Sequence, residues 1–263
     1  MRRPETAAEK NLVAHMTWVQ SRLSGGQVEV DDELVVSDSG LACDSFNFVC
    51  RARLSNEVGR ERIARVVRQF TGVGRPFSWW LGPTDEPAEL GAILLDSGFE
   101  AAESEVAMAV ELRRLGSADL SPHGLRIERA TTPAQVRDFA RINAANWNPP
   151  DELVLRFYDL ATPLLLRPDC PLRLYVGYLG DEAVATSELT VCTGAVGLYN
   201  ISTLVTSRRK GFGSALTLRP LLDARAEGHD TAVLQASADG QGVYARLGFK
   251  ETGQYTEYQL PRG

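Results

Sequence analysis

The spacing of apolar positions predicts an alternation of helices and strands along the whole chain. Leu12, Val13, Met16 and Val19 fall on one face at helical period, so Glu9 to Leu23 reads as a helix closed by Gly25-Gly26. Leu34–Val36 and Phe46–Ala52 read as short strands. Ile63, Val66, Val67 and Phe70 share a helical face over Glu61 to Phe70. Phe77 to Leu81 is apolar and aromatic and stops at Gly82-Pro83, as a strand would. A helix over Glu86 to Leu95, closed by Gly98, and a strand over Val106 to Leu112 complete this half.

Arg113 to Gly124 interrupts the pattern with two Gly, a Pro and a Ser-Ala-Asp run, and reads as a linker. A strand at Leu125–Glu128 follows. Thr132 as N-cap and Pro133 at the first helical position then open a helix to Ile142. Asn146 to Pro150 is a loop, and Asp151 begins a helix to Leu166. Strands at Arg173–Leu179, Ala183–Cys192 and Val196–Thr203, with turn signals Gly180-Asp181 and Thr193-Gly194 between them, form an antiparallel meander. Gly213 to Gly228 is helical, Thr231–Ala236 a strand, Gly240–Leu247 a short helix and Tyr255–Leu260 a last strand. A meander followed by strand–helix–strand implies an α/β fold (α+β mixed sheet) with helices on its faces. The pattern divides the chain into residues 1–115 and 124–263.

Composition narrows the function classes. The chain has 263 residues, 44% of them apolar and 24% charged, which suits a globular chain of two domains. No apolar run approaches the ~18 residues of a membrane span, so no membrane partner is expected. Met1 to Glu5 lead into polar residues without an apolar core, so no secretory signal is expected. The formal charge of -6 disfavours nucleic acid. Residues 1–120 hold 13 Lys and Arg against 19 Asp and Glu, whereas residues 121–263 hold 15 of each. Cys43, Cys50, Cys170 and Cys192 form no CxxC pair, which suggests reduced thiols and a cytoplasmic setting, with Cys192 a small buried apolar residue. His15, His123 and His229 lie far apart, so neither a metal site nor a histidine-centred triad is expected.

The chemistry concentrates in Thr203-Leu204-Val205-Thr206-Ser207-Arg208-Arg209-Lys210-Gly211-Phe212-Gly213-Ser214. A strand ends, a basic stretch follows, and Gly-x-Gly opens a helix. The N–H groups of a first helical turn, at the positive end of the dipole and beside three cations, suit a phosphate or pyrophosphate. A dinucleotide fold would place such a loop after a first strand and add a third glycine, whereas Leu216 stands there.

Arg208-x-x-Gly211-x-Gly213 resembles the Q/R-x-x-G-x-G/A pyrophosphate loop of the GNAT acetyltransferase superfamily. Ser237-Ala238-Asp239-Gly240-Gln241-Gly242-Val243-Tyr244-Ala245-Arg246-Leu247-Gly248-Phe249 resembles its N-x-x-A-x-x-L-Y-x-x-L-G-F. Val205 stands where that family often has Pro, and Ser237 where Asn is common. The resemblance spans about residues 124–260. It implies the GNAT acyl-CoA N-acyltransferase fold, opened between the fourth and fifth strands of this half. The pantetheine arm of acetyl-CoA would pair with Thr203, Leu204 and Val205. Its diphosphate would rest on the N–H groups of Arg209, Lys210, Gly211, Phe212, Gly213 and Ser214, with Arg208 beside it and Ser237 on the arm.

The implied reaction is direct attack of an amine on acetyl-CoA in a ternary complex. It needs a neutral amine, a stabilised oxyanion and a proton for the leaving thiolate. Tyr244 occupies the family's proton-donor position; its competing reading is a core aromatic beside Leu247. Deprotonating an alkyl ammonium at neutral pH costs roughly 4–5 kcal/mol. Glu188, mid-strand beside the acceptor cleft, is either a base acting through a water or an outward-facing carboxylate. Tyr199 and Asn200 on the next strand are cleft residues, and Trp147 either walls the acceptor site or belongs to the core.

The first half echoes the second. Phe77 to Gly82 resembles the fifth strand, and Leu94-Leu95-Asp96-Ser97-Gly98-Phe99 resembles Tyr244 to Phe249 with Leu94 at the tyrosine position. Asn56 to Glu61 has one glycine and two acids where the loop should be. A degenerate GNAT-like copy without a cofactor loop is expected over 1–115, and a catalytic one over 124–263, as a monomer or homodimer. The expected partner is a small-molecule amine. A catalytically silent acyl-CoA binding or sensing module and an aminoacyl-tRNA-dependent transferase are the alternatives.

Overall fold

The computed structural model describes residues 6–55, 59–115 and 122–261. Half of the proposed linker (116–121), and Asn56, Glu57 and Val58 of the first-half loop, lie outside the described residues.

The chain forms two compact units that do not coincide with its linear halves. One contains the residues up to His15 together with Ala107–Thr252, and the other contains Met16–Val106 and the residues from Gly253 on. The division expected at residues 115 and 124 is therefore crossed at both ends. The reason is pairing: the last strand of each half is hydrogen-bonded where the other half's would close the sheet.

In the first of these units, β6 (Leu125–Arg129), β7 (Leu172–Leu179), β8 (Glu182–Cys192) and β9 (Ala195–Thr203) form the antiparallel meander. β10 (Thr231–Ala236) pairs parallel to β9, and the C-terminal end of β5 (Glu100–Glu111) lies on its far side. Leu112 N–H donates to Asp230 C=O there at 2.8 Å. α4 (Pro133–Ala144) starts at the N-cap foreseen at Thr132, which the structure extends to a capping box: its Oγ1 accepts from Gln135 N, and Gln135 Oε1 accepts from Thr132 N. α5 (Glu152–Leu165) is capped by Asp151, whose Oδ1 accepts from Leu153 N. Successive residues of β8 show which helix covers which face. Thr186 Oγ1 accepts from Asn143 of α4, while Ser187 Oγ donates to Leu216 C=O of α6 (Phe212–Ala226).

In the other unit the order is β1 (Gln27–Val30), β2 (Val35–Asp38), β3 (Phe48–Cys50), β4 (Ser78–Leu81) and β11 (Lys250–Gln259), of which β11 is antiparallel to β4. β3 and β4 are parallel, joined through α2 (Gly59–Thr71), just as β9 and β10 are joined through α6. Ile63, Val66 and Phe70 of α2 bury the face their spacing predicts, against Val36, Val49 and Trp79. α3 (Leu90–Asp96) adds Leu90 and Leu94. It begins later than Glu86, after the Pro87 turn.

The internal echo is backbone-deep. Phe99 N–H donates to Leu94 C=O at 3.1 Å, and Phe249 N–H donates to Tyr244 C=O at 3.1 Å, so α3 and α7 (Ala238–Arg246) end in the same turn.

α1 spans only Ala7–Thr17, and Gln20–Arg22 is a separate 3-10 turn. Val19 and Leu23 stay buried through this break, because periodicity reports burial rather than hydrogen bonding. Asn11, wholly buried, ties α1 down: its Nδ2 donates to Thr190 and Ala195 C=O at 2.9 Å each, and its Oδ1 accepts from Tyr199 OH at 2.9 Å. Gly197 is the close approach that permits this, since a Cβ there would fall 1.9 Å from Asn11 Oδ1. Asn11→Ala strands two buried carbonyls and a hydroxyl, and is expected to cost about 2–4 kcal/mol. Chemical denaturation reads this directly, and an unshifted midpoint would show that α1 is held by something else.

Candidate active site

The site begins where β9 leaves β10. Their register covers only Val196–Leu198 against Ala232–Leu234, yet β9 runs on to Thr203. Asn200 has φ 51°, and the β8–β9 register shifts between Thr186 and Glu188. This bulge turns the strand away and opens the sheet. The chain then makes a 3-10 turn at Val205–Ser207, takes left-handed backbone at Arg209 (φ 61°) and Gly211 (φ 83°), and enters α6.

A cavity of about 860 Å³ fills the opening. Of the residues read as cofactor-binding, Thr203, Arg208, Arg209, Gly211, Phe212, Gly213, Ser214 and Ser237 line it, and Tyr244 lies on its wall. Three do not. Leu204 faces a separate apolar groove of about 330 Å³ with Ile142 and Ala183, Val205 is 70% exposed, and Lys210 Nζ donates to Thr206 C=O. Arg208 Nε donates to Thr203 C=O at 3.2 Å, so this cation holds its own loop to the strand end. Arg246, not singled out from the sequence, adds a further cation to the wall.

Two helices open onto this cavity without the side-chain caps that α4 and α5 carry. Neither Gly211 before α6 nor Ser237 before α7 makes a side-chain capping bond. First-turn N–H groups largely lack an acceptor within their own helix, although Gly240 N–H donates back to Ser237 C=O. Both helix starts thus present donors and positive dipole ends to one space. Gly213 fits the same reading. Its backbone does not demand glycine, and a Cβ would meet only Thr203 Oγ1 at 3.9 Å.

Glu188 is not an outward-facing carboxylate. It is 2% exposed, and three donors surround it: His15 Nδ1 at 2.8 Å and Thr190 Oγ1 at 2.9 Å on Oε1, and Asn200 Nδ2 at 3.0 Å on Oε2. Burial alone would push its pKa up, but His15, then Thr190 and Asn200, outweigh burial and hold it below the ordinary value of 4.5. Tyr199 lies flat on the His15 ring at 3.7 Å, and its hydroxyl is bonded to Asn11. Glu188, Tyr199 and Asn200 therefore form one cluster, organised around a histidine 173 residues from Glu188. The signal for His15 was local: Asn11 and His15 are polar residues four apart, beside the apolar Leu12 and Met16 of the same helix.

Hydrogen bonds run from this cluster to the cavity. Thr186 Oγ1 donates to Asn200 C=O and accepts from Asn143 Nδ2. Ser202 Oγ donates to Asn143 Oδ1 and accepts from Asn146 Nδ2, and Ser202 and Asn146 line the cavity. Trp147, next to Asn146, is 46% exposed and does not belong to the core. Cys192 is half-buried, a correction to the buried position expected. Among the described residues no group of three His, Cys, Asp or Glu could hold a metal ion, and no helix is long and apolar enough to cross a membrane.

No protein-family model matches the sequence, and no curated protein matches it. Solved structures do. A GCN5-related N-acetyltransferase from Kribbella flavida is 17% identical, with a TM-score of 0.74 over 98% of each chain. A GCN5-related N-acetyltransferase from Sphaerobacter thermophilus is 14% identical, with a TM-score of 0.62 over 89% of this chain and 83% of that one. A tandem GNAT protein from the clavulanic acid biosynthesis pathway is 12% identical, with a TM-score of 0.62 over 100% of this chain and 91% of that one. The fold is the GNAT fold, and these likenesses extend over both halves of the chain.

The Glu188 cluster sets a pH dependence. A carboxylate whose folded pKa lies below its unfolded value stabilises the fold above about pH 4.5, and that stabilisation is lost as pH falls through the lower value. Glu188→Gln is expected to cost about 3 kcal/mol at neutral pH, by leaving His15 unpaired. Thermal unfolding against pH should show the gap between wild type and variant closing in acid. A gap that widens there would contradict the assignment.

Proposed function

We propose that this GNAT-fold chain is an N-acetyltransferase that moves the acetyl group of acetyl-CoA to the amine of a small molecule, by direct attack in a ternary complex. The observation that carries the proposal is the pair of uncapped helix starts, α6 and α7, facing one cavity across a glycine that no protein contact requires. Orphan N–H donors, the α6 and α7 dipoles, and Arg209 and Arg246 suit a diphosphate. The cavity volume of about 860 Å³ suits a long, narrow ligand more than a lone ion.

Acetyl-CoA, when bound, supplies an acetyl group activated as a thioester. The chain's residues do the rest. The first turns of α6 and α7 hold the anionic end. The unpaired edge of β9 beyond Leu198 offers backbone groups to the extended arm. Tyr244, buried on the cavity wall with its ring edge-on to Phe249 at 6.0 Å, is held in one orientation. Its hydroxyl donates the proton that the departing sulfur takes up. Asn146 and Ser202 face the acceptor end, and Trp147 shields its entrance.

Thermal shift separates the family of readings. Acetyl-CoA should raise the Tm, and thiol release over a panel of primary amines should find a substrate. A Tm rise without turnover on any amine would favour a silent acyl-CoA binding module instead. Gly213→Val is expected to fold normally and to lose the acetyl-CoA shift; a retained shift would remove the glycine from the site. Tyr244→Phe should keep the shift and lower kcat by about 10²-fold or more. Wild-type kcat in that variant would end the proton-donor assignment.

A further inference from the structure

We infer that His15, delivered by the N-terminal helix, is the base that takes the proton from the acceptor's ammonium group, and that Glu188 is the residue that positions it. This inference rests on the acetyltransferase reading and deepens it.

Glu188 was the carboxylate expected to serve as base, and its surroundings disqualify it. Three donors already occupy its two oxygens, and it is only 2% exposed. Those bonds stabilise the anion, which makes it a reluctant proton acceptor. They do something else well. An ionised carboxylate can only accept, so it fixes His15 with Nδ1–H pointing at Oε1. The lone pair of neutral His15 then lies on Nε2, and among the described residues nothing bonds Nε2. The ring is clamped flat against Tyr199 at 3.7 Å with an interplanar angle of 3°, and 17% of the side chain reaches solvent. Tyr199 is itself locked by Asn11, one helical turn before His15. A base needs an oriented ring, a defined tautomer and access, and His15 has all three.

Its cluster is joined to the cavity by the hydrogen bonds of Asn200, Thr186, Asn143 and Ser202. Tyr199 and Asn200 are the residues at which β9 stops pairing with β10, and Ile201 and Ser202 just beyond them line the cavity. The groups around the dyad are otherwise silent. Tyr158 faces Glu188 from α5 and has its pKa pushed far up by burial and then by Glu188. Burial raises the Cys170 thiol to about 11. Asn11, Thr190 and Asn200 do not titrate.

The protons balance. Of the three on the acceptor ammonium, one passes to His15 Nε2 and leaves to solvent when the imidazolium gives it up. A second replaces the proton Tyr244 donates to the departing sulfur. The third stays on the amide nitrogen of the product. One C–N bond forms and one C–S bond breaks, with no change of oxidation state.

The test uses the full chain, acetyl-CoA and the primary amine that turns over fastest in the panel. His15→Asn keeps a donor toward Glu188 and removes Nε2, while His15→Ala opens space for added imidazole. Both should retain the acetyl-CoA Tm shift. His15→Asn should lose about 10²-fold in kcat/KM for the amine and the acid limb of the pH profile with it. Imidazole should restore part of the His15→Ala rate and none of the Tyr244→Phe rate. Imidazole ¹⁵N NMR gives a readout without turnover. The resonance missing from His15→Asn should report Nδ1–H and bare Nε2. A wild-type rate and profile in His15→Asn, or an Nε2–H tautomer, would overturn this inference and leave the acetyltransferase reading standing. A wild-type chain that releases no thiol with any amine would overturn both.

Discussion

A strand that leaves its neighbour must find new partners for its backbone, and β9 organises the site around that obligation. After three residues of pairing with β10 it departs, and its N–H and C=O groups are taken up one by one. Arg208 takes the carbonyl of Thr203, while on the edge that stays beside β8 Thr186 Oγ1 takes the carbonyl of Asn200 and Leu204 N–H donates to Val184 C=O. What remains unpaired faces the cavity, together with the first turns of α6 and α7. The opening is therefore stable without a ligand and still offers donors to one. The left-handed turns at Asn200, Arg209 and Gly211 are where the chain bends to make this possible.

Periodicity and capping carried most of the fold. The meander, the paired motifs at Gly211 and Tyr244, the N-cap at Thr132 and the apolar face of α2 are all local patterns, and local patterns survive in a bare sequence. β1 escaped because it alternates weakly and is held by backbone pairing to β2 across a turn in which Asp31 Oδ1 accepts from Glu33 and Leu34 N–H. The helix over Glu9 to Leu23 was drawn too long because Val19 and Leu23 continue its buried stripe through a non-helical turn. The cofactor side of the site was legible, since Gly-x-Gly and the Tyr-x-x-x-Gly-Phe run lie within short stretches. The other side was not. Glu188 and His15 meet across 173 residues, and no spacing rule reaches that far.

The two copies of the C-terminal helix–turn share a backbone and differ in what their side chains face. Leu94 and Tyr244 occupy the same turn and accept the same backbone bond from the phenylalanine that follows. Leu94 is fully buried in an apolar cluster with Trp79 and Phe99, whereas Tyr244 borders a cavity. The backbone geometry is shared, and only the side chain and what it faces differ.

The grouping of α1 up to His15 with Ala107–Thr252 has a consequence for how such a chain can evolve. A duplicated protein usually leaves its copies free to be lost, swapped or recombined at the join between them. Here the join is not where the parts separate. Removing the first half would take Asn11 and His15 with it, expose the carbonyls of Thr190 and Ala195, and leave Glu188 buried without its His15 donor. Exchanging that half for another's would import a different residue opposite Glu188. The leading helix of the first half thus completes the packing of the second, and neither half is self-contained.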